Sequence, residues 1–190
     1  MKVIWILSCL VSLSAIFAAN TCQRPKRLDK SFDIGSLDGS WYFVRGLNRN
    51  NDCYECHNIT FYPAHQGLFF AEEYYIEIMN ATTIHYSIES SLNQWNSTTP
   101  GVIRIDSSDV NYSLEWRIID FGLNDNYAYV YYCGTYSGGF PFEGSVVLSR
   151  TTALSNDTLS KLEKVATSIG LNLDNYCKIR FDHCDQSSEL

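Results

Sequence analysis

Eight short runs rich in aromatic and β-branched residues, each ended by turn residues, constrain the fold of this chain most. They cover residues 41–44, 58–62, 68–79, 83–89, 102–105, 114–121, 127–133 and 145–150. Several alternate. Ile84, Tyr86 and Ile88 interleave with Thr83, His85 and Ser87, and Leu114, Trp116 and Ile118 with Glu115 and Arg117. Alternation at period two gives each strand one buried face. Asp38-Gly39, Pro63 and Pro100-Gly101 punctuate the runs. Such a series predicts a mainly β domain, an antiparallel sandwich or barrel. The period then changes. Leu159, Leu162, Val165, Ala166 and Ile169 recur at helical spacing after Ser155, a capping residue, and Gly170 ends the pattern. A closed barrel of eight strands is just wide enough to hold one small ligand.

The N-terminus sets the expected compartment. Met1-Lys2 precedes an uncharged stretch ending in Ala18-Ala19. This is the pattern of a secretory signal peptide over residues 1–19, followed by a lead over 20–31. Removing residues 1–19 takes Lys2 away and leaves 13 basic against 21 acidic residues, a balance of −8. With no basic patch, nucleic acid is excluded as the expected partner. No second long apolar run exists, so no membrane span is expected after signal cleavage. Outside Cys9, the six cysteines Cys22, Cys53, Cys56, Cys133, Cys177 and Cys184 imply up to three disulfides, and spacing leaves their pairing open. Asn58, Asn80, Asn96, Asn111 and Asn156 begin glycosylation sequons. The oligomeric state is not legible.

Short motifs in order carry a resemblance. Gly39-Ser40-Trp41 opens the first strand, Asp125-Asn126-Tyr127 precedes the seventh, and Arg150 leaves the eighth. These resemble the three lipocalin motifs, and the resemblance implies that Arg150 packs over Trp41 at the closed end of a barrel. Phe32-Asp33, Gly46-Leu47-Asn48, Tyr131-Tyr132-Cys133-Gly134, Gly144-Ser145-Val146-Val147 and Leu162-Glu163-Lys164 extend the match. They resemble the lipocalin domain of violaxanthin de-epoxidase over residues 32–184, with a short tail at 185–190. The fold this implies is an eight-stranded antiparallel lipocalin-type barrel with one C-terminal helix.

The same resemblance implies candidate chemistry. In that enzyme family an acid at the barrel mouth opens an epoxide and ascorbate supplies electrons. Aligning Gly46-Leu47-Asn48 and Cys56 puts Asp52 at the acid's position and Glu55 at a second acidic one. Burial beside aromatics would raise a carboxyl toward the working pH. As a plain turn residue, Asp52 would instead sit beside Asn50 and Asn51 for backbone reasons. Phe70, Tyr74, Tyr86, Trp116, Tyr129 and Tyr131 are the residues expected to line a ligand cavity, although alternation alone does not say which face points inward. Cys53-Tyr54-Glu55-Cys56-His57 spells the haem-attachment motif, but it lies between strands with no helix to present His57, and both cysteines are read as structural. No metal site has convincing ligand spacing. His57, His65, His85 and His183 are scattered and carry no assigned role.

The enzymes of that family also carry a cysteine-rich region, which the residues ahead of Phe32 do not resemble. Binding is therefore the first expectation: a secreted lipocalin taking a small apolar ligand (a carotenoid, a retinoid-like compound or a lipid), with no cofactor needed. A de-epoxidase acting on a xanthophyll epoxide with ascorbate is the second. A non-catalytic secreted glycoprotein mediating protein contacts is the third.

Overall fold

The structure, a computed structural model, describes residue 28 and residues 32–184 except 66–67, 81, 95–100 and 108–110. The expected signal peptide, Cys22, the Asn96 sequon and the tail lie outside the described residues. Eight antiparallel strands form one sheet: β1 Gly39–Gly46, β2 Glu55–His65, β3 Leu68–Met79, β4 Thr82–Gln94, β5 Val102–Ser107, β6 Tyr112–Gly122, β7 Tyr127–Tyr136 and β8 Pro141–Ser149. Each pairs with its chain neighbours, and β1 pairs with both β2 and β8, so the sheet closes into a barrel. Closure gives each strand a partner on both sides, although β4 meets β5 only over Ser91–Gln94. A two-residue strand, β9 Cys177–Lys178, adds to β1.

The strands run longer than the sequence runs. Pro63 was expected to end the second run, but β2 continues to His65. The β2–β3 register shifts between Tyr62 and His65, and such an irregularity accommodates a residue that cannot donate to the ladder. Hairpin turns use residues that tolerate positive φ, including Asn80 (φ 50°), Asn111 (φ 52°) and Asn126 (φ 56°).

Two apolar clusters lie on opposite sides of the sheet. Inside the barrel are Trp41, Phe43, Phe61, Ile103, Ile118, Val130 and Leu148 among others. Outside, Tyr127, Tyr129, Tyr131 and Val147 pack against Leu162 and Ala166 of helix α1, Asn156–Ser168. The Ser155 side chain caps that helix by accepting from the Thr158 N–H at 3.1 Å. Beyond Ile169 the chain reverses at Gly170 (φ 80°).

Trp41 plugs one end of the barrel. It is fully buried, and its indole N–H donates to the Leu37 carbonyl at 2.6 Å. Arg150 covers it with its guanidinium carbon 3.8 Å from the ring centroid, and donates to the Ser40 carbonyl at 3.0 Å. Trp41→Ala would leave a cavity and an unpaired buried carbonyl. It should lower unfolding free energy by about 3–5 kcal/mol in urea titrations, and an effect below about 1 kcal/mol would mean that this end is not sealed as described.

Candidate functional site

The cavity occupies the interior beyond the Trp41 plug, opens to solvent, and has a volume of about 140 Å³. Phe43, Tyr75, Tyr112, Trp116, Tyr132 and Phe142 supply its inward-facing aromatic wall, with Ile88 and Leu114. Tyr54 and Tyr136 complete the lining, and the polar side chains are Asn51, Asp52 and Glu73.

Asp52 sits on the loop between β1 and β2, yet it is only 2% exposed. The loop folds back on itself. The Asn48 N–H donates to Asp52 Oδ2 at 2.7 Å, and the Asp52 N–H donates to the Asn48 carbonyl at 2.7 Å. The Tyr132 hydroxyl donates to Asp52 Oδ1. Two glycines make this possible. A Cβ on Gly46 would lie 2.2 Å from the Cβ of Asp52, and one on Gly144 would lie 2.3 Å from the Tyr132 hydroxyl oxygen. Disulfides pin the loop on its far side: Cys53 joins Cys177 and Cys56 joins Cys184. Cys133 is also disulfide-bonded. With Cys53 and Cys56 both committed, the haem-attachment reading of that motif has no free thiols.

Burial raises the Asp52 carboxyl to about 7, against the opposing hydrogen bonds from Tyr132 and Asn48. The nearby Glu73 carboxylate adds to the rise. Tyr132 is itself pushed up, by burial and by its carboxylate partner. A carboxyl poised near neutrality in an apolar cavity can donate a proton or hold one.

Behind Glu73 lies His57. Its Nε2 is 2.6 Å from Glu73 Oε1, its ring stacks on Phe43 at 3.7 Å, and its Nδ1 is buried without a hydrogen-bond partner. Beyond the cavity, β4 and β5 pair only over Ser91–Gln94 with Ile103–Asp106. An open groove of about 600 Å³ lies beside that junction and shares Tyr112 and Tyr136 with the cavity.

The residues expected to line a ligand site are divided by this geometry. Trp116 lines the cavity, Tyr86 stacks on the lining Tyr75 at 4.8 Å, and Phe70 borders the outer groove. Tyr74 lies on the outer face of β3, its hydroxyl 2.7 Å from His85 Nδ1. Tyr129 and Tyr131 do not reach the cavity. They face outward beneath the helix and C-terminal segment, where Tyr129 meets the Tyr176 hydroxyl at 2.9 Å and Tyr131 donates to Glu143 at 2.5 Å. Their neighbour Tyr132 takes the inward position. Both faces of β7 are apolar, so periodicity could not separate them. Glu55 pairs with Arg180 outside the cavity. Glu73 and Tyr75 were missed because the even-numbered face of β3, with Phe70, Tyr74, Ile76 and Ile78, carries more apolar residues. Gly39 and Tyr127 begin β1 and β7, and Asp125 lies in the turn between β6 and β7, where it pairs with Lys161 at 3.3 Å. Among the described residues no cluster of His, Cys, Asp and Glu has metal-binding geometry.

Asp52 links stability to pH. Its folded value of about 7 lies above the ordinary carboxylate value of about 4, so between them the folded state holds a proton that the unfolded state has lost. Stability should be highest below pH ~4 as far as this group is concerned, fall through pH ~4–7, and level above, by on the order of 4 kcal/mol. Asp52→Asn should remove that fall in urea midpoints measured from pH 4 to 8. An unchanged slope would show that Asp52 does not carry it.

Comparison with known proteins agrees with this architecture. Violaxanthin de-epoxidase, chloroplastic, from Arabidopsis thaliana is 26% identical over 159 residues, covering 81% of this chain and 34% of the relative. The Nicotiana tabacum enzyme is 23% identical over 158 residues, covering 81% of this chain and 33% of the relative. The chain thus spans about a third of the length of these curated relatives. Insecticyanin from the tobacco hornworm Manduca sexta superposes with a TM-score of 0.67 at 15% identity, over 86% of this chain and 88% of the other. Lobster apocrustacyanin A1 gives 0.60 at 19% identity, over 78% and 79%. These structural likenesses show the fold. Residues 9–181 match the family described as the VDE lipocalin domain, and the chain belongs to that family.

Proposed function

We propose that this chain is a lipocalin of the secretory pathway that binds a small apolar molecule, or the ring end of a longer carotenoid, retinoid-like compound or lipid. The observation that carries the reading is the aromatic-walled cavity of about 140 Å³. That is close to the volume of an engineered apolar cavity, about 150 Å³, that accepts benzene. The cavity therefore takes one ring, and the remainder of a longer ligand would run toward the groove beside Tyr112 and Tyr136. The disulfides and the exposed sequon residues Asn80, Asn111 and Asn156 favour the oxidising, glycosylating compartment. The Asn58 amide is engaged, donating to the Cys56 carbonyl at 3.0 Å.

A second reading is favoured by Asp52. As a de-epoxidase, the protein would protonate an epoxide oxygen from Asp52. Two electrons and a further proton from ascorbate would then complete conversion of the epoxide to an alkene and water. The buried, protonatable carboxyl against Tyr132 supports this role.

Both readings are open to one set of measurements. β-Ionone, a ring-end probe, should saturably quench tryptophan fluorescence through Trp116, and Leu114→Trp, which fills the cavity, should weaken binding at least about tenfold. Absence of saturable quenching by any apolar compound from the source would contradict the binding reading. A xanthophyll epoxide should be consumed only with ascorbate present, and Asp52→Asn should lower the rate at least about 100-fold. Conversion unaffected by that substitution would remove Asp52 from the chemistry.

A further inference from the structure

The cavity is more acidic than a hydrocarbon ligand needs. Two carboxyl side chains, Asp52 and Glu73, contribute to its wall, and no Lys or Arg does among the described residues. Asp52 is buried and the Glu73 side chain is 21% exposed, and carboxylates shielded to that degree favour a positively charged partner. Glu73 has one neighbour that could neutralise it, His57, and the geometry there argues for a neutral imidazole. The Nδ1 of His57 is buried with no partner. A lone pair there is tolerable, whereas an N–H would be an unsatisfied buried donor. The proton then sits on Nε2, which donates to Glu73 at 2.6 Å. This arrangement fixes the carboxylate without cancelling its charge.

Aromatic surface surrounds the two carboxyl groups. Tyr54 and Tyr75 stack at 4.2 Å, and both line the cavity with Tyr132, Tyr136 and Trp116. Aromatic faces attract a cation within about 6 Å of the ring centre, most strongly when it is desolvated. The whole chain carries a net charge of −7, which favours approach of cations.

We propose that the cavity binds a small organic cation, a protonated primary amine carried on a single ring, with its ammonium group held by Glu73 and Asp52 and its ring against the aromatic wall. The proposal rests on the reading of this cavity as the ligand site and narrows its chemistry. The size limit is set by the volume, which admits one ring and a short arm. His57 is a positioning residue: it holds Glu73 and does not touch the ligand.

The test uses two soluble probes of nearly equal shape, 2-phenylethylamine and 2-phenylethanol, titrated against the intact protein at pH 7.5 by calorimetry and tryptophan fluorescence. The amine is expected to bind at least about tenfold more tightly than the alcohol. Glu73→Gln should abolish that preference, and circular dichroism checks that the variant is folded. The wild-type pair decides the matter even if the variant fails to fold. Equal or tighter binding of the alcohol overturns the proposal and leaves the apolar-ligand reading standing. Binding of β-ionone with neither phenyl probe does the same. If β-ionone, the amine and the alcohol all fail to bind, both readings fall together.

Discussion

Closure of the sheet through β1 is the constraint on which the rest of the structure depends. β1 pairs with β2 on one side and β8 on the other, so inward side chains share one interior. Trp41 fills one end of that interior under Arg150. The opposite end keeps the open volume. Because β1 leaves the barrel at Gly46, the loop that follows lies over that volume, and Asp52 comes down into it.

The position of Asp52 is over-determined, as a buried carboxyl must be. Its loop is closed by reciprocal bonds with Asn48, its oxygen is met by Tyr132, and its neighbour Cys53 is tied to Cys177. Gly46 and Gly144 remove the side chains that would collide with it or with Tyr132. The barrel thus places one protonatable group in an aromatic interior and rigidifies the chain around it, which suits both holding a polar end of a ligand and donating a proton to it.

Much of the fold was legible in the sequence because its signals are local. Alternation located the eight strands, Ser155 and Gly170 bracketed the helix, and the pairing of Trp41 with Arg150 followed from the resemblance. The site was less legible. Asp52 was reached only through alignment, since an Asp beside Asn50 and Asn51 is an ordinary turn on its own terms. Alternation put Trp116 on one face of its strand without saying that this face points inward, and Tyr132 and Tyr131 are indistinguishable until it is known that helix α1 covers the odd-numbered face of β7. Glu73 carried no signal at all: its importance comes from the buried His57 behind it, on a different strand.

Asp52 is where fold, cavity and proposed ligand meet, and its carboxyl can be observed directly. In protein labelled with carboxyl-13C aspartate, NMR titration should show one resonance, assigned by its loss in Asp52→Asn, moving with a midpoint near 7 and shifting when ligand fills the cavity. A midpoint in the ordinary carboxylate range near 4, unmoved by saturating ligand, would contradict both the burial of Asp52 and its place at the binding site.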